Sequence, residues 1–257
     1  MIIDVHIHYG YLFLPIRAAK APELIASMDN YGIDLGIVSH LGGIFGDFRQ
    51  CNRELKEAIS PYSDRLKGYI VVNPNYPAEA LAQLEEFARE PSFVGVKLHA
   101  SWHDQPIDGP AYRTIFDKCE ELSLPVLVHS YVIGEDDQVS SPERIARVAK
   151  RHAIPLIMAH MGGNATRGCR AVMEAENLYM DISSGRERAS QLYVWELGRV
   201  ENAVRQLGAD KVLFGSDLPL LDPAICMGMM ADSNLTATER RMVMGDNAAR
   251  IFGFGKD

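Results

Sequence analysis

Short apolar runs rich in β-branched residues recur along the chain and are separated by longer stretches with helical spacing of apolar residues. Runs of this length, followed by Gly, Pro or polar residues, are typical of buried strands. The predicted strands are Ile2–His8, Asp34–His40, Leu66–Val72, Phe93–His99, Pro125–His129, Pro155–His160, Leu178–Ile182 and Lys211–Phe214.

The intervening stretches predict helices, because their apolar residues recur at intervals of three and four. Leu81, Leu84 and Phe87 form such a stripe in one of them, and Pro22 opens the first. The predicted helices are Pro22–Asn30, Asp47–Ile59, Ala78–Arg89, Ala111–Leu122, Pro142–His152, Asn164–Glu176, Glu196–Leu207 and Thr238–Phe252.

Strict alternation of strand and helix predicts a parallel sheet, since parallel neighbours need a crossover and a helix supplies it. Eight such units are the number that closes into a barrel. An open doubly wound sheet is the alternative, but it usually brings a Gly-rich phosphate turn after the first strand, and the sequence has none there. The chain has no long linker or composition shift. We therefore expect an α/β fold, a single-domain (β/α)8 TIM barrel spanning residues 1–257.

Composition narrows the function classes. The 257 residues are 47% hydrophobic, which is typical of a globular protein, and carry a net charge of -8. An acidic chain lacks the basic field that nucleic acid needs, so no nucleic-acid partner is expected. No apolar run is long enough to span a membrane. The four scattered cysteines suggest neither a disulfide framework nor a thiolate zinc site, so a cytoplasmic protein is expected.

The first predicted strand carries two histidines, His6 and His8, two residues apart. Side chains alternate between the faces of a strand, so both imidazoles are expected on one face together with Asp4, with the apolar residues of the strand on the other. Such a pair can bind one metal ion. It is equally compatible with two incidental histidines on a half-exposed strand.

The other predicted strands add polar residues at the same end of the barrel. Active sites of parallel barrels are built at the carboxyl ends of the strands. Imidazole and carboxylate there suit zinc, manganese or iron. Taken singly, His129 could bond to a loop, His160 could cap a turn and Asp217 could cap a helix. The candidates at strand ends are His6, His8, Lys97, His99, His129, His160 and Asp217.

Five motifs stand out along the chain: Asp4-Val5-His6-Ile7-His8, Gly95-Val96-Lys97-Leu98-His99, Val126-Leu127-Val128-His129, Met158-Ala159-His160-Met161-Gly162-Gly163 and Leu213-Phe214-Gly215-Ser216-Asp217-Leu218-Pro219. Together they resemble the amidohydrolase superfamily, in particular its amidohydrolase-2 branch of TIM-barrel metal-dependent hydrolases, which also includes decarboxylases. The resemblance covers nearly the whole chain.

The resemblance implies that His6, His8, His129 and Asp217 bind one divalent metal, with zinc expected and manganese or iron as alternatives. His160 and Asp217 would be catalytic. Lys97 is open to two roles, because in binuclear members the corresponding lysine is carbamylated and bridges two metals with the histidine of the sixth strand, whereas in mononuclear members it can pair with a substrate carboxylate. His99 and His160 are further candidates for a second metal or for substrate. One metal is the favoured reading.

The implied function is hydrolysis of an ester, lactone or amide of a small, carboxylate-bearing molecule by a metal-activated water. The alternative is a metal-dependent non-oxidative decarboxylase of an aromatic or unsaturated acid on the same scaffold. A barrel that binds a metal or metabolite without turnover is the third reading. A homo-oligomer is compatible with all three.

Substrate contacts are expected in the loops that follow the strands. Arg17, Trp102, Tyr131 and Arg186 are the candidates. Arginine suits a carboxylate, because its planar guanidinium donates two parallel hydrogen bonds. The loop residues therefore favour an acidic substrate, although each could be a solvated surface residue.

Overall fold

Eight parallel strands form one sheet in the part of the chain that the structure describes. The computed structural model describes residues 1–11, 20–130, 139–183 and 198–255. Each strand pairs in parallel with the next one along the chain. Val5 N donates to Phe214 O (3.1 Å) and Asp217 N donates to His6 O (2.8 Å), so the first strand is bonded to the chain that follows the last. The predicted α/β barrel is confirmed.

All eight predicted strands are present. The fifth, sixth and eighth are shorter than predicted at both ends, and the seventh ends one residue early. The strands are β1 (Ile3–Tyr9), β2 (Leu35–His40), β3 (Leu66–Val71), β4 (Phe93–Leu98), β5 (Val126–Val128), β6 (Leu156–Met158), β7 (Leu178–Asp181) and β8 (Val212–Leu213).

The described helices include the predicted ones and several short additions. They are α1 (Ala21–Tyr31), α2 (Leu41–Phe45), α3 (Phe48–Ile59), α4 (Pro77–Phe87), α5 (Ala100–His103), α6 (Pro110–Glu121), α7 (Pro142–Ala149), α8 (Ala165–Val172), α9 (Arg199–Leu207), α10 (Ala224–Ala231), α11 (Ala237–Arg241) and α12 (Asn247–Phe252). Residues 196–197 of the predicted helix Glu196–Leu207 lie outside the described residues, and α9 is the described part of it.

The predicted helix Thr238–Phe252 is interrupted by a π-helical segment, Met242–Asp246. Gly245 in this segment lies against the carbonyl oxygen of Met1, where a Cβ would clash. Val243 O accepts from Phe214 N at 2.8 Å. The π-helical segment therefore packs next to the start of β1 and the end of β8. The spacing of apolar residues along the sequence does not predict such an interruption.

Apolar side chains fill the barrel interior. One cluster contains buried residues of seven of the eight strands, and the partly buried Val94 of β4 packs against it, so it lies inside the sheet. Phe252 packs against Tyr69 with ring centroids 6.0 Å apart. A second cluster joins the strands to the surrounding helices. The buried strand members of the interior cluster are Ile3, Val5, Leu35, Ile37, Tyr69, Leu127, Ile157, Tyr179 and Leu213.

A β-bulge in β1 changes which residues share a face. The pairing register with β2 shifts between Asp4 and Ile7. Ile3 and Val5 belong to the interior cluster, whereas Ile7 packs in the outer one. The expectation of uninterrupted alternation along this strand is therefore wrong, because the bulge inserts an extra residue. The bulge allows Ile3 and Val5 to fill the barrel interior, while His6 lies among the polar residues at the carboxyl end of the barrel.

Cys51, Cys119, Cys169 and Cys226 are all free thiols, as expected. Among the helices of the described ranges, none combines the length and apolar character needed to cross a membrane.

Candidate metal centre

Three metal-compatible side chains converge at the carboxyl end of the barrel. His6 and His8 lie on β1, and Asp217 lies in the segment after β8. Oδ1 of Asp217 is 3.0 Å from Nε2 of His8 and 3.6 Å from Nε2 of His6. One ligand atom from each side chain lies within 4.8 Å of the others, and all three residues are buried. This spacing is compatible with one ion bound by all three side chains.

The backbone after β8 runs close to β1 and so brings Asp217 to the histidines. A Cβ on Gly215 would lie 3.0 Å from the Cβ of His6, so glycine allows this close approach. Asp4 accepts hydrogen bonds from His6 N (3.0 Å) and Ser216 N (3.1 Å), which ties the two segments together. Asp217 has a left-handed φ of 66°. Such conformations in residues other than glycine concentrate at functional sites.

Burial and neighbouring charges give these three residues the ionisation states that a metal needs. Burial, with help from the nearby Lys97, holds the pKa of His6 well below its ordinary value. Burial also lowers the pKa of His8, so both imidazoles are neutral. Burial opposes ionisation of Asp217, but its hydrogen bond to His8 and the other histidines outweigh that effect, and its pKa lies below the ordinary value. Neutral imidazoles and a carboxylate fit a divalent ion.

Lys97, on β4, contacts the same group. Its Nζ lies 2.8 Å from Nε2 of His6, and the residue is 1% exposed. Burial lowers the pKa of Lys97 to about 8, against the attraction of Asp217 and Asp181. As an ammonium, Lys97 donates to the Nε2 lone pair of His6 that would bind a metal ion. The ammonium and the metal ion therefore compete for His6. Both roles considered for Lys97 stay predictions.

Three more of the predicted histidines lie together beside this group. Nε2 of His160 is 3.2 Å from Nδ1 of His129, and the ring of His129 stacks on that of His99 with centroids 3.7 Å apart. His160 follows β6 with a left-handed φ of 58°. His129 is not part of the three-residue group described above, so its role as a metal ligand stays a prediction.

Asp181 and Ser183, at the end of β7, contact two of these histidines and were missed by the sequence analysis. Nδ1 of His6 is 2.9 Å from Oδ2 of Asp181 and 3.1 Å from Oγ of Ser183, which is also 2.9 Å from Nδ1 of His160. These contacts involve polar atoms of a second metal-compatible group, His6, His160 and Asp181. The strand-end rule that found the other candidates also applies to β7 and would have identified both residues.

A third group joins His40, the last residue of β2, to Cys51 and Glu54 of α3. Gly42 N donates to Nδ1 of His40 at 3.0 Å, so a neutral ring carries its hydrogen on Nε2, which faces Glu54 at 3.4 Å. That arrangement leaves His40 without a lone pair for an ion. The group is therefore better described as a hydrogen-bonded histidine that caps α2.

Two short helices on the rim carry aromatic side chains toward the site. Phe45 of α2 and Trp102 of α5 have ring centroids 4.8 Å apart. The ring of Trp102 is 6.1 Å from that of His99, and the residue is 49% exposed. Trp102 thus connects the histidine cluster to the surface, a position that suits its predicted contact with substrate.

His103 holds α2 and α5 together. Its Nε2 donates to Ile44 O at 3.0 Å, and its Nδ1 accepts from the hydroxyl of Tyr112 at 2.7 Å. Asn75 Nδ2 donates to the carbonyl of His103 at 2.9 Å. Burial lowers the pKa of His103 to about 4, which keeps the ring neutral in these bonds.

Arg17, Tyr131 and Arg186 lie outside the described residues. Their contacts with substrate stay predictions. Of the four predicted substrate contacts, Trp102 lies within the described residues.

A parallel barrel with histidines and an aspartate converging at its carboxyl end is the architecture of metal-dependent hydrolases and related enzymes. The chain belongs to the amidohydrolase family, because the family model Amidohydro_2, described as amidohydrolase, matches residues 3–254. The family resemblance inferred from the motifs, and with it the expectation of an enzyme, is confirmed. A comparison with curated proteins gives no match.

Several solved structures share this fold over the full chain. A 5-carboxyvanillate decarboxylase from Sphingomonas paucimobilis is 17% identical with a TM-score of 0.76, covering 98% of both chains. A dihydroxybenzoic acid decarboxylase from Polaromonas sp. JS666, with bound manganese and the inhibitor 2-nitroresorcinol, is 16% identical with a TM-score of 0.77, covering 100% of this chain and 98% of the other.

A protein described as a probable 2-pyrone-4,6-dicarboxylic acid hydrolase from Acinetobacter baumannii, with citric acid bound, is 17% identical with a TM-score of 0.70. That match covers 98% of this chain and 99% of the other. At these identities the likeness shows the fold. Hydrolases and decarboxylases both occur among the structures, so neither reading of the sequence is favoured over the other.

Proposed function

We propose that this chain is a divalent-metal-dependent hydrolase that cleaves an ester, lactone or amide of a small, carboxylate-bearing molecule. The observation that carries the proposal is the convergence of neutral His6 and His8 with ionised Asp217, whose ligand atoms lie within 4.8 Å of one another. Buried titratable residues whose pKa values are shifted in this way concentrate at functional sites.

His6, His8 and Asp217 would hold the ion, with His129 as the further ligand implied by the family. When bound, a divalent ion supplies Lewis-acid polarisation of a substrate carbonyl and makes a water molecule more acidic. Zinc is the ion expected from the sequence. Manganese is an equal candidate, because a structural neighbour is described with it.

The chain's own residues would handle the proton in hydrolysis. As the water oxygen forms its bond to the carbonyl carbon, Asp217 takes the water proton and later delivers it to the leaving oxygen or nitrogen as that bond breaks. His160 would hydrogen bond to the reacting oxygen as negative charge develops there. Trp102 would contact the flat face of a substrate at the mouth of the site.

Decarboxylation is the second candidate. Two observations favour it: decarboxylases are among the structural neighbours, and the buried Lys97 lies at the metal group, where its cation could bind a substrate carboxylate. In that reaction the bond between the carbon skeleton and the carboxylate breaks, carbon dioxide leaves, and an acid protonates the carbon left behind.

The test is a screen of the metal-loaded protein against lactones, esters, amides and aromatic acids, with acid release and carbon dioxide measured in parallel. Hydrolysis predicts acid release that falls roughly 10²–10⁴-fold in Asp217→Asn, through loss of acid–base assistance. The exposed Asp232, at the end of α10, gives the matched control Asp232→Asn. Carbon dioxide release would replace the first proposal by the second, and a metal-loaded protein inactive on every class would favour a binding protein.

A further inference from the structure

The hydroxyl of Ser183 is the centre of a buried hydrogen-bond network. It donates to Oδ1 of Asp181 in a short hydrogen bond. Oδ1 also accepts from the backbone N–H groups of His160 (2.9 Å) and Ser183 (3.0 Å), so this oxygen carries no hydrogen of its own. The single hydrogen of the hydroxyl is therefore used at Asp181, and Oγ can only accept from its other neighbours.

Those neighbours are the Nδ1 atoms of two histidines. Nδ1 of His160 lies 2.9 Å from Oγ of Ser183, and Nδ1 of His6 lies 3.1 Å from it. Nδ1 of His6 is also 2.9 Å from Oδ2 of Asp181, a second acceptor. Both rings must then donate from Nδ1. In a neutral ring, this leaves Nε2 as a lone pair.

The Nε2 contacts agree with this assignment. Nε2 of His6 accepts from Nζ of Lys97 at 2.8 Å, on the side where Asp217 lies. Nε2 of His160 is 3.2 Å from Nδ1 of His129, which can donate to it.

We propose that Asp181 and Ser183 are positioning residues that fix His6 and His160 as the tautomers protonated on Nδ1, with Asp181 controlling His6 and Ser183 controlling His160. The importance of the tautomers rests on the proposed function, because Nε2 of His6 is the atom proposed to bind the ion. The tautomers themselves do not depend on the proposed function, because the hydrogen-bond network sets them without metal or substrate.

The two residues make separable predictions. In Asp181→Asn the amide oxygen must take the place of Oδ1, where three donors meet, so the NH2 group faces Nδ1 of His6. Donor would then meet donor at Nδ1, while Lys97 still donates to Nε2. The Nδ1–H form of His6 is therefore expected to lose its dominance, and the Nε2–H form that gains population has no lone pair for the ion. His160 keeps its bond to Ser183 and is expected to be unchanged.

Ser183→Ala is expected to have the opposite pattern. His160 loses the Ser183 oxygen that lies 2.9 Å from its Nδ1, so its preference for the Nδ1–H tautomer weakens. His6 keeps Oδ2 of Asp181 and stays protonated on Nδ1. Ser39→Ala is a matched control, because Ser39 is a buried serine bonded to Nδ1 of His8 at 2.9 Å and should leave the other two rings unchanged.

The experiment is 15N–1H correlation spectroscopy of the imidazole nitrogens in the chelator-treated full chain, which distinguishes the two tautomers directly. Both rings should show Nδ1–H in the wild type, His6 alone should change in Asp181→Asn, and His160 alone in Ser183→Ala. Nε2–H on either ring in the wild type would overturn the proposal, and so would an unchanged His6 in Asp181→Asn. Should Asp181→Asn fail to fold, the wild-type spectrum and Ser183→Ala still decide.

Manganese titration of the same proteins gives a second readout. The dissociation constant should rise ten- to a hundredfold in Asp181→Asn, as is typical for loss of a partner behind a metal ligand, and should change little in Ser183→Ala. Equal weakening in both variants would contradict the division of roles. If the wild type binds no divalent metal, the proposed function fails, while the spectra still decide whether Asp181 and Ser183 set the tautomers.

Discussion

Replacing His103 should remove a measurable part of the pH dependence of stability. The ring is 3% exposed and hydrogen bonded on both nitrogens, and burial lowers its pKa from 6.5 to about 4. A histidine with a depressed pKa stabilises the fold above the unfolded value of 6.5 and loses that contribution as pH falls toward 4. This difference between the folded and unfolded pKa corresponds to about 3 kcal/mol of unfolding free energy, at about 1.4 kcal/mol per pKa unit.

The comparison is between the wild type and His103→Gln, which does not titrate. At pH 8 the wild type should have the larger free energy of unfolding. By pH 5 most of the proton uptake by the unfolded histidine has occurred, so the gap should shrink by about 2 kcal/mol. Urea unfolding followed by circular dichroism at several pH values measures the gap directly.

Tyr112→Phe is the matched control. It removes the hydroxyl that donates to His103 but keeps the titrating ring, so its deficit of about 1 kcal/mol should be similar at both pH values. A gap between wild type and His103→Gln that is constant from pH 8 to pH 5 would refute the reasoning. It would mean that His103 titrates alike in the folded and unfolded chains.

Two further predictions concern the metal group. His8→Ala should lose most bound metal while unfolding at a similar urea concentration, because His8 lies at a strand end and outside the interior cluster; wild-type metal content in this variant would remove His8 from the ligand set. Lys97→Met should keep one equivalent of metal and bind it at least as tightly, because it removes the ammonium that competes for His6. Two equivalents in the wild type falling to one or none in that variant would instead identify Lys97 as a bridging ligand.

The fold was predictable because each strand and helix carries its own local signal. The interior strands are short apolar runs, and helices such as α4 and α6 show a clear apolar stripe. The same local reasoning failed in β1, where the bulge between Asp4 and Ile7 changes the face of the residues that follow. A bulge is fixed by pairing with the neighbouring strand, which the spacing along one strand does not contain.

The candidate site was predictable where it follows the strand-end rule. The structure brings His6, His8 and Asp217 together, and Lys97 joins them. The helices α2 and α5 were not predicted, because a single turn of helix is too short to show periodicity. Their packing depends on His103, whose partner Ile44 lies 59 residues away in the chain, a distance at which sequence patterns carry no signal.

The most direct test of the account is the position of a bound metal. Crystals of the protein soaked with manganese or zinc, measured at the absorption edge of the ion, would show it as an anomalous difference peak. One main peak is expected within about 2–2.4 Å of ligand atoms of His6, His8 and Asp217. A peak between His6, His160 and Asp181, or no peak at this end of the barrel in a protein that binds the ion, would contradict it.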